Sequence, residues 1–224
     1  LGLAVELEEH GADPVDRLEH APGRVIQCDL WFPAPRIAVG FGQEAMLPVL
    51  VVVAAFSRFV AAVMLPSRQT MDLVAGMWQL LSQNFTTVPH ELWWDNEAGI
   101  GRRGRLTEPV TALVGTLGSR LVQMKPNDPE SKGMVERANR YLETSFLPGR
   151  SFTSPHDFND QLGLWLPIAN NRRVRVLDGR PVDFLDIDRA HMLALPPVPP
   201  TVETVTSVRL GRDYYVRVGG NDYS

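Results

Sequence analysis

The sequence contains a single cysteine, Cys28, among its 224 residues. A lone cysteine excludes an internal disulfide and any cysteine-based metal cluster. The five histidines show no metal-ligand spacing. There is also no apolar run of transmembrane length and no basic-then-apolar signal segment at the start. These absences favour a globular protein with no membrane partner, in a reducing compartment such as the cytoplasm.

The chain also lacks the overall positive charge that is typical of nucleic-acid-binding proteins, because its net charge is −4. The distribution of charge is uneven. Residues 1–20 hold six acids and one base, whereas residues 101–150 hold nine bases and five acids. A further basic run, NNRRVRV, spans residues 170–176. Scattered solvated charge explains this pattern, but so does a polyanion that binds where the bases are concentrated.

Hydrophobic patterning predicts an α/β fold. Short β-rich runs predict strands at 24–32, 47–56, 59–65, 90–95 and 120–125, with 47–65 forming a hairpin. Helical spacing predicts helices at 67–85, capped by Thr70, and at 107–118, 131–146 and 155–170. The order is strand, hairpin, helix, strand, helix, strand, helix. It indicates a mixed sheet with an antiparallel edge and helices on its faces.

Two aspartates lie where β-strands are predicted. Asp29 falls inside the run RVIQCDLWF, where aspartate is disfavoured and a buried carboxylate needs a partner. Asp95 ends the run HELWWD and is followed by asparagine. Each has a plain structural explanation, Asp29 as a residue at a solvated strand end and Asp95 as a turn former. Both also fit a site at one edge of a sheet.

A third acid, Glu136, lies on the predicted 131–146 helix. A turn of about 100° per residue puts Met134, Val135, Ala138, Tyr141 and Leu142 in one sector, and Glu136, Asn139, Arg140 and Glu143 in the opposite one. An acid on such a polar face is commonly only a solvated charge. It is also well placed to face Asp29 and Asp95 if the helix packs across their strands.

Three carboxylates gathered in one site need cations to offset their repulsion. Oxygen ligands without cysteine favour Mg²⁺ or Mn²⁺ over zinc. Two such ions about 4 Å apart activate a hydroxyl and stabilise the departing oxygen in phosphodiester displacement. If Asp29, Asp95 and Glu136 converge, the sequence predicts a two-ion phosphoryl-transfer site.

Four motifs resemble a known family. CDLWF, VAAFSRFVAA, WWDNEAG and KPNDPESKGMVERANRYLE are similar to the retroviral-integrase-type catalytic core of DDE transposases, and most similar to the IstA-type transposases of bacterial insertion sequences. The resemblance covers about residues 22–190. It implies a ribonuclease-H-like, mixed five-stranded sheet flanked by helices, with Asp29, Asp95 and Glu136 as the catalytic, metal-binding triad. Leu30-Trp31 departs from the Trp-Gly that often follows the first aspartate.

The resemblance also sets the expected domains and partners. Residues 1–22 are interpreted as a linker or N-terminal extension, 23–190 as the catalytic core, and 191–224 as a proline-rich connector and the start of a C-terminal β-module. The family acts on transposon ends and target DNA by strand transfer, with end cleavage where the element requires it. Action as a homo-oligomer and an ATPase helper protein are implied in the same way. The missing N-terminal helix-turn-helix region suggests a fragment that is inactive alone.

Basic and amide side chains around the acids are candidate DNA contacts. They are Lys125, Lys132, Asn139, Arg140, Arg102 and Arg103, with Arg105 in the same glycine-rich run as the last two. Binding phosphates would give affinity that depends on salt and not on sequence. Solubility or, for Asn139, capping of an exposed turn are the simpler interpretations. Trp93, Trp94 and Cys28 are predicted to be core residues.

Two other functions remain open on the sequence alone. One is a ribonuclease-H-fold nuclease that cuts DNA without joining it. The other is a non-catalytic DNA-binding or assembly module derived from a transposase. The presence of all three acids speaks against the second alternative. No motif in the chain indicates which DNA ends are recognised.

Overall fold

The computed structural model describes residues 20–102, 104–124, 129–200, 216–218 and 221–223, with backbone only for 129–132 and beyond 200. The helices are α1 (Thr70–Leu80), α2 (Glu108–Leu117), α3 (Pro129–Tyr141), α4 (Pro155–Asn170) and α5 (Pro181–His191). The chains of α1 and α3 continue into single π-helical turns, Leu81–Phe85 and Leu142–Phe146. No helix in these ranges is long and apolar enough to cross a membrane.

The strands follow the same chain order. They are β1 (Val25–Trp31), β2 (Ile37–Gly40), β3 (Gln43–Ala45), β4 (Val49–Ala54), β5 (Val60–Met64), β6 (Thr87–Val88), β7 (Glu91–Trp94), β8 (Gly101–Arg102), β9 (Arg105–Leu106), β10 (Arg120–Gln123), β11 (Leu193–Ala194), β12 (Val216–Val218) and β13 (Asn221–Tyr223). β12 and β13 pair as an antiparallel hairpin within the predicted C-terminal β-module. The predicted extension, residues 1–22, lies almost entirely outside the described residues.

A five-stranded mixed sheet forms the centre, in the order β10-β7-β1-β4-β5. β1, β7 and β10 are parallel, whereas β4 is antiparallel to both β1 and β5. The sheet therefore has the predicted antiparallel side, made by the β4–β5 hairpin, and a parallel side on which strand ends share one edge. This is the mixed five-stranded sheet flanked by helices that the sequence predicts.

Two hydrophobic layers cover the sheet, one on each face. α1 and α2 pack on one face through buried residues such as Leu73, Met77 and Leu113. α3 and α4 pack on the other, where Val135, Leu142 and Leu162 are buried. Every residue of β4 is buried, as expected for a continuous apolar run between two layers of helices.

The exposed edge of β5 is closed by two asparagines of α4. Asn159 accepts from the Met64 N–H (2.7 Å) and donates to the Met64 carbonyl (3.1 Å). Asn170 pairs in the same way with Val60, at 2.8 Å for both bonds. The two asparagines are eleven residues, or about three helical turns, apart, so they lie on one helix face. Their amides take the place of a neighbouring strand and protect the edge from other chains.

Helix α5 is absent from the predicted elements, because its interior face carries few apolar residues. Its buried Asp188 accepts hydrogen bonds from the Gly23 N–H (2.6 Å) and the Ser57 N–H (3.0 Å). The carboxylate thereby connects α5 to the start of β1 and to the β4–β5 turn. Leu185 adds apolar contact with the core.

Three local predictions are corrected by the structure. Thr70 does not cap α1, since the N-cap is Gln69 and the Thr70 hydroxyl donates to the Gly99 carbonyl at 2.8 Å. α3 begins at Pro129, two residues before the predicted start. A hairpin of β2 and β3, absent from the predicted order, follows β1. Its turn contains Phe41 with φ +52° between two glycines that also have positive φ.

Candidate active site

Asp29 and Asp95 lie beside each other at one edge of the sheet. Cys28 on β1 pairs with Trp94 on the parallel strand β7. The next residue of each chain segment is an aspartate, so the two acids occupy equivalent positions on neighbouring strands. Both side chains are half-buried. Two carboxylates brought together in this way destabilise each other's charge unless cations are near.

The chain turns sharply at Asp95. The Asp95 carboxylate accepts a hydrogen bond from the Asn96 N–H at 2.7 Å, and its carbonyl accepts one from the Glu97 N–H at 2.8 Å. The Asn96 amide reaches the Met124 carbonyl, just after β10, at 3.3 Å. The Met124 N–H in turn donates to the Trp94 carbonyl at 2.7 Å. These bonds fix the direction in which Asp95 leaves the strand.

Helix α3 packs across the strand that carries Asp29. The Val135 N–H donates to the buried Gln27 side-chain carbonyl at 3.3 Å. One turn later the Asn139 amide donates to Asp29 Oδ2 at 2.9 Å. Met134 and Ala138 are buried, as the helical pattern predicts. The apolar face and these two polar contacts set the position of the helix relative to β1.

Glu136 lies one helical turn before Asn139, and residues three apart are neighbours on a helix surface. Its side chain is exposed. Within 20–102, 104–124 and 133–200, no group of three or more His, Cys, Asp or Glu side chains is arranged to hold a metal ion. The sequence predicts three converging carboxylates. The structure places two of them side by side and the third on the adjacent helix, directed toward solvent.

Asn139 is the site residue whose role in the structure differs most from the sequence-based interpretation. It is predicted as a DNA contact on the polar face, but it is half-buried and its amide holds Asp29. Its carbonyl oxygen is buried, and no donor among the described residues reaches it. That oxygen is a further hard acceptor beside the aspartates. The sequence shows only that Asn139 lies three residues after Glu136 and so on the same side of the helix. It does not show that the Asn139 amide contacts Asp29, which is 110 residues away.

Comparison with known proteins gives relatives of one kind. The chain is 31% identical over 102 residues to the transposase of insertion sequence IS21 from Pseudomonas aeruginosa, covering 45% of this chain and 26% of that protein. It is 26% identical over 171 residues to a putative transposase of IS5376 from Geobacillus stearothermophilus, covering 73% and 41%. A profile of the Mu transposase C-terminal domain matches residues 195–224.

Solved structures share the fold, which confirms the predicted ribonuclease-H-like fold class. The catalytic core domain of BIV integrase superposes with a TM-score of 0.56 at 20% identity, covering 75% of this chain and 97% of that one. The simian T-cell lymphotropic virus intasome, in complex with a PP2A regulatory subunit, gives 0.56 at 18% identity, covering 90% and 66%. The chain has a transposase- and integrase-like core. It spans well under half the length of the transposases that it matches.

Only some of the residues that are predicted to contact DNA are described in the structure. Arg140 is exposed on α3, on the same side as Glu136. Arg102 and Arg105 are exposed on β8 and β9, which form a short hairpin after Asp95 and not an irregular loop. Arg103, Lys125 and the side chain of Lys132 lie outside the described residues. Their roles remain predictions.

Cys28 is excluded as a nucleophile or ligand of the integrase-like core. The residue is fully buried next to Asp29. Burial, and secondarily the charge of Asp29, raise the pKa of the Cys28 thiol well above its usual range. It therefore stays protonated and packs as a small apolar side chain, as predicted. Trp94 is likewise buried in the core.

Proposed function

We propose that the chain is the catalytic core of a DDE-type transposase, joining transposon-end DNA to a target by divalent-metal-dependent strand transfer. The observation that carries the proposal is the equivalent position of Asp29, on β1, and Asp95, just after the parallel strand β7, with Asn139 connecting α3 to Asp29. The resemblance to insertion-sequence transposases supports the substrate class.

The donor set fits Mg²⁺ or Mn²⁺. Two aspartates, a glutamate one turn from Asn139 and the Asn139 carbonyl, which accepts from no described residue, supply hard oxygens, and no thiolate is available. Asp29 and Asp95 would hold the ions from the sheet. Glu136 would complete the set by turning its exposed side chain over the helix surface. Two bound ions would supply activation of the attacking hydroxyl and neutralisation of charge on the departing oxygen.

The chain's own contribution is positioning. In the proposed reaction the 3′ hydroxyl of the transposon end forms a new bond to a target phosphorus, and the bond from that phosphorus to its 3′ oxygen breaks. The attacking hydroxyl gives up its proton to solvent, and the departing 3′ oxygen takes up a proton from solvent. No covalent bond to the protein is needed. The fixed strand ends and the anchored helix reduce the loss of freedom on reaching this geometry. Exposed Arg140 would hold a phosphate beside Glu136.

The full protein is proposed to act as a homo-oligomer on paired DNA ends, with an ATPase helper. Both proposals come from the resemblance to IstA-type transposases and concern the larger protein. A protein assayed for these activities should therefore carry the flanking regions that its relatives possess.

The metal assignment is tested first without any DNA reaction. We expect Mn²⁺, titrated by calorimetry, to bind the parent chain and to bind Glu136→Gln and Asp95→Asn at least about tenfold more weakly, because each loses a charged ligand. Glu143→Gln is the matched control, since Glu143 is exposed on the helical segment that continues α3, about two turns further on. Equal binding by Glu136→Gln and Glu143→Gln would remove Glu136 from the site.

The reaction class is tested with pre-cut transposon ends and Mg²⁺ or Mn²⁺. In a protein that carries the flanking regions of its relatives, we expect joined products from the parent, and DNA binding without joining from Asp95→Asn. Hydrolysis with no joined product would identify a nuclease of the same fold. Joining by Asp95→Asn at the parent's rate would contradict the metal-site assignment and leave a DNA-binding or assembly module as the better interpretation.

A further inference from the structure

A group of arginines lies on the opposite side of α3 from Asn139. Arg58, in the turn between β4 and β5, is half-buried and has φ +60°. It lines a cleft together with Tyr141 at the end of α3 and with Asn170 and Arg172 at the end of α4. The guanidinium of Arg172 stacks on the Tyr141 ring, 3.7 Å from its centroid. We call these residues, together with Arg137, the arginine cleft.

Arg137 lies beside the cleft on α3. Burial lowers the pKa of Arg58, and the positive charge of Arg137 lowers it further. Arg137 and Tyr141 are one turn apart on α3 and so lie on the same side of the helix. Arg58 and Arg172 thus line the cleft, and Arg137 lies next to it on the Tyr141 side of α3.

Within the described part of the chain, none of these three arginines forms an ion pair with a carboxylate. Neighbouring Arg173 differs, because it pairs with Asp178 at 2.6 Å. Like charges brought together repel, most strongly where one of them is removed from water. Such an arrangement is stabilised by an anion, and planar guanidinium groups suit the paired oxygens of a phosphate.

Residues of α3 lead around the helix from the candidate active site to the cleft. Because α3 turns about 100° per residue, Arg140 lies between Glu136 and Arg137 around the helix. A path of positive charge thus leads from Glu136, past Arg140 and Arg137, to the stacked pair of Tyr141 and Arg172.

We propose that the arginine cleft binds phosphodiester groups of the DNA backbone, outside the three-acid site. The proposal rests on the proposed function for the identity of the polyanion, but its residues are separate from the metal ligands. It assigns Arg58, Arg137 and Arg172 to sequence-independent affinity and to the direction in which DNA leaves the site.

The test measures the binding of a short labelled DNA duplex of arbitrary sequence at several salt concentrations, in the presence of EDTA. We expect Arg58→Gln, Arg137→Gln and Arg172→Gln each to weaken binding about threefold to tenfold and to reduce the slope of log K against log salt by about 0.9. Arg173→Gln removes the same charge next to the cleft and should change affinity less than about twofold, because Asp178 already neutralises it.

Two features keep the result interpretable. Arg137 and Arg172 are exposed, so their variants should fold even if Arg58→Gln does not, and thermal melting checks each protein. Inorganic phosphate is titrated as a second ligand. Competition with DNA at the cleft supports the proposal, whereas phosphate binding that leaves DNA affinity unchanged indicates a small-anion site and overturns it.

The remaining outcomes separate this proposal from the proposed function. If the parent binds duplex and all three cleft variants bind equally well, the cleft assignment is wrong and the transposase assignment stands. If the cleft variants lose affinity but the parent never joins DNA ends, the cleft stands and strand transfer fails. A parent chain that binds no duplex at any salt concentration contradicts both.

Discussion

The carboxylates at the two ends of strand β7 have opposite environments. At the first residue, buried Glu91 accepts hydrogen bonds from Arg24 and Arg120, both at 2.8 Å, and from the Trp93 indole, also at 2.8 Å. These arginines lie on or beside the neighbouring strands β1 and β10. At the other end, four residues later, Asp95 lies beside a second acid, Asp29.

The two environments distinguish a carboxylate with a structural role from carboxylates with a proposed catalytic role. Two arginines neutralise Glu91 and connect three parallel strands, so this carboxylate needs no ligand from outside. At the opposite edge, the same strands bring two acids together and a helix carries a third nearby, a set of oxygen donors that suits the binding of cations. The core thus holds its sheet at one edge and presents its proposed chemistry at the other.

The largest expected difference between the two ends is in catalysis. Asp29→Asn should reduce strand transfer about a thousandfold or more, because loss of a metal ligand removes several kcal/mol of transition-state stabilisation. Without metal, its unfolding free energy should change by less than about 1 kcal/mol, since asparagine keeps the side-chain volume and an oxygen that can accept from the Asn139 amide. Glu91→Gln, assayed as folded protein, should join at the parent's rate. If Asp29→Asn and Glu91→Gln lost joining activity equally, the two ends of β7 would not differ in their role in catalysis.

The second prediction concerns the residue that holds Asp29. Asn139→Leu removes the amide that donates to Asp29 while keeping the side-chain volume similar. We expect Mn²⁺ affinity to fall about tenfold to a hundredfold, as for other residues that orient metal ligands. Calorimetric titration measures the affinity, and Asn139→Gln tests whether a longer amide restores it. Unchanged affinity in Asn139→Leu would show that the helix alone positions Asp29.

Much of the fold follows from local pattern. β4 is a continuous apolar run because both faces of the sheet are covered, and α3 has its apolar sector where the 100° periodicity puts it. Helix α5 is not predicted from the sequence because it lacks such an apolar pattern. Its inward face carries Asp188, whose partners are backbone groups of Gly23 and Ser57 far away in sequence. A polar anchor of that kind leaves no hydrophobic periodicity to detect.

The candidate site also contains residues that can be predicted from the sequence and residues that cannot. Asp29 and Asp95 can be singled out because aspartate is unusual in or just after a strand, and the resemblance adds Glu136. The bond from Asn139 to Asp29 and the arginine partners of Glu91 join segments that are far apart in sequence. The arginine cleft also requires the structure, because Arg172 and Arg173 are indistinguishable in the sequence. Long-range pairing, and not local propensity, decides these roles.

The third prediction concerns the stability that Glu91 and its arginine partners contribute. Glu91→Gln should lower the unfolding free energy by about 1–3 kcal/mol, because a buried acceptor of charged hydrogen bonds is lost while Arg24 and Arg120, largely exposed, can return to water. Urea denaturation of the metal-free proteins gives the value. Glu143→Gln, an exposed site, serves as the control and should differ from the parent by less than about 0.5 kcal/mol. A Glu91→Gln protein as stable as this control would show that the network contributes nothing.

The smallest expected effect is the pH dependence of that difference. Burial alone would raise the pKa of Glu91, but hydrogen bonds from Trp93 and Arg120 and the charges of Arg120 and Arg24 hold it below its ordinary value of 4.5. A lowered folded-state pKa contributes stability that is complete above the unfolded-state value and is lost as the pH falls through the folded-state value. The stability gap between parent and Glu91→Gln should therefore be constant near neutral pH and should narrow below about pH 4.5.

Other acids do not obscure this measurement. The pKa of Asp157 is also lowered, by hydrogen bonds from Thr153 and Gln161, but Asp157 is the same in both proteins and cancels in the difference. Urea denaturation of the parent and of Glu91→Gln, repeated across the acid range, isolates the contribution of one carboxylate. A gap that stays constant down to the lowest pH at which both proteins fold would mean that the substitution destabilises the protein through packing. The arginines would then not be neutralising Glu91, and the contrast between the two ends of β7 would be one of shape and not of charge.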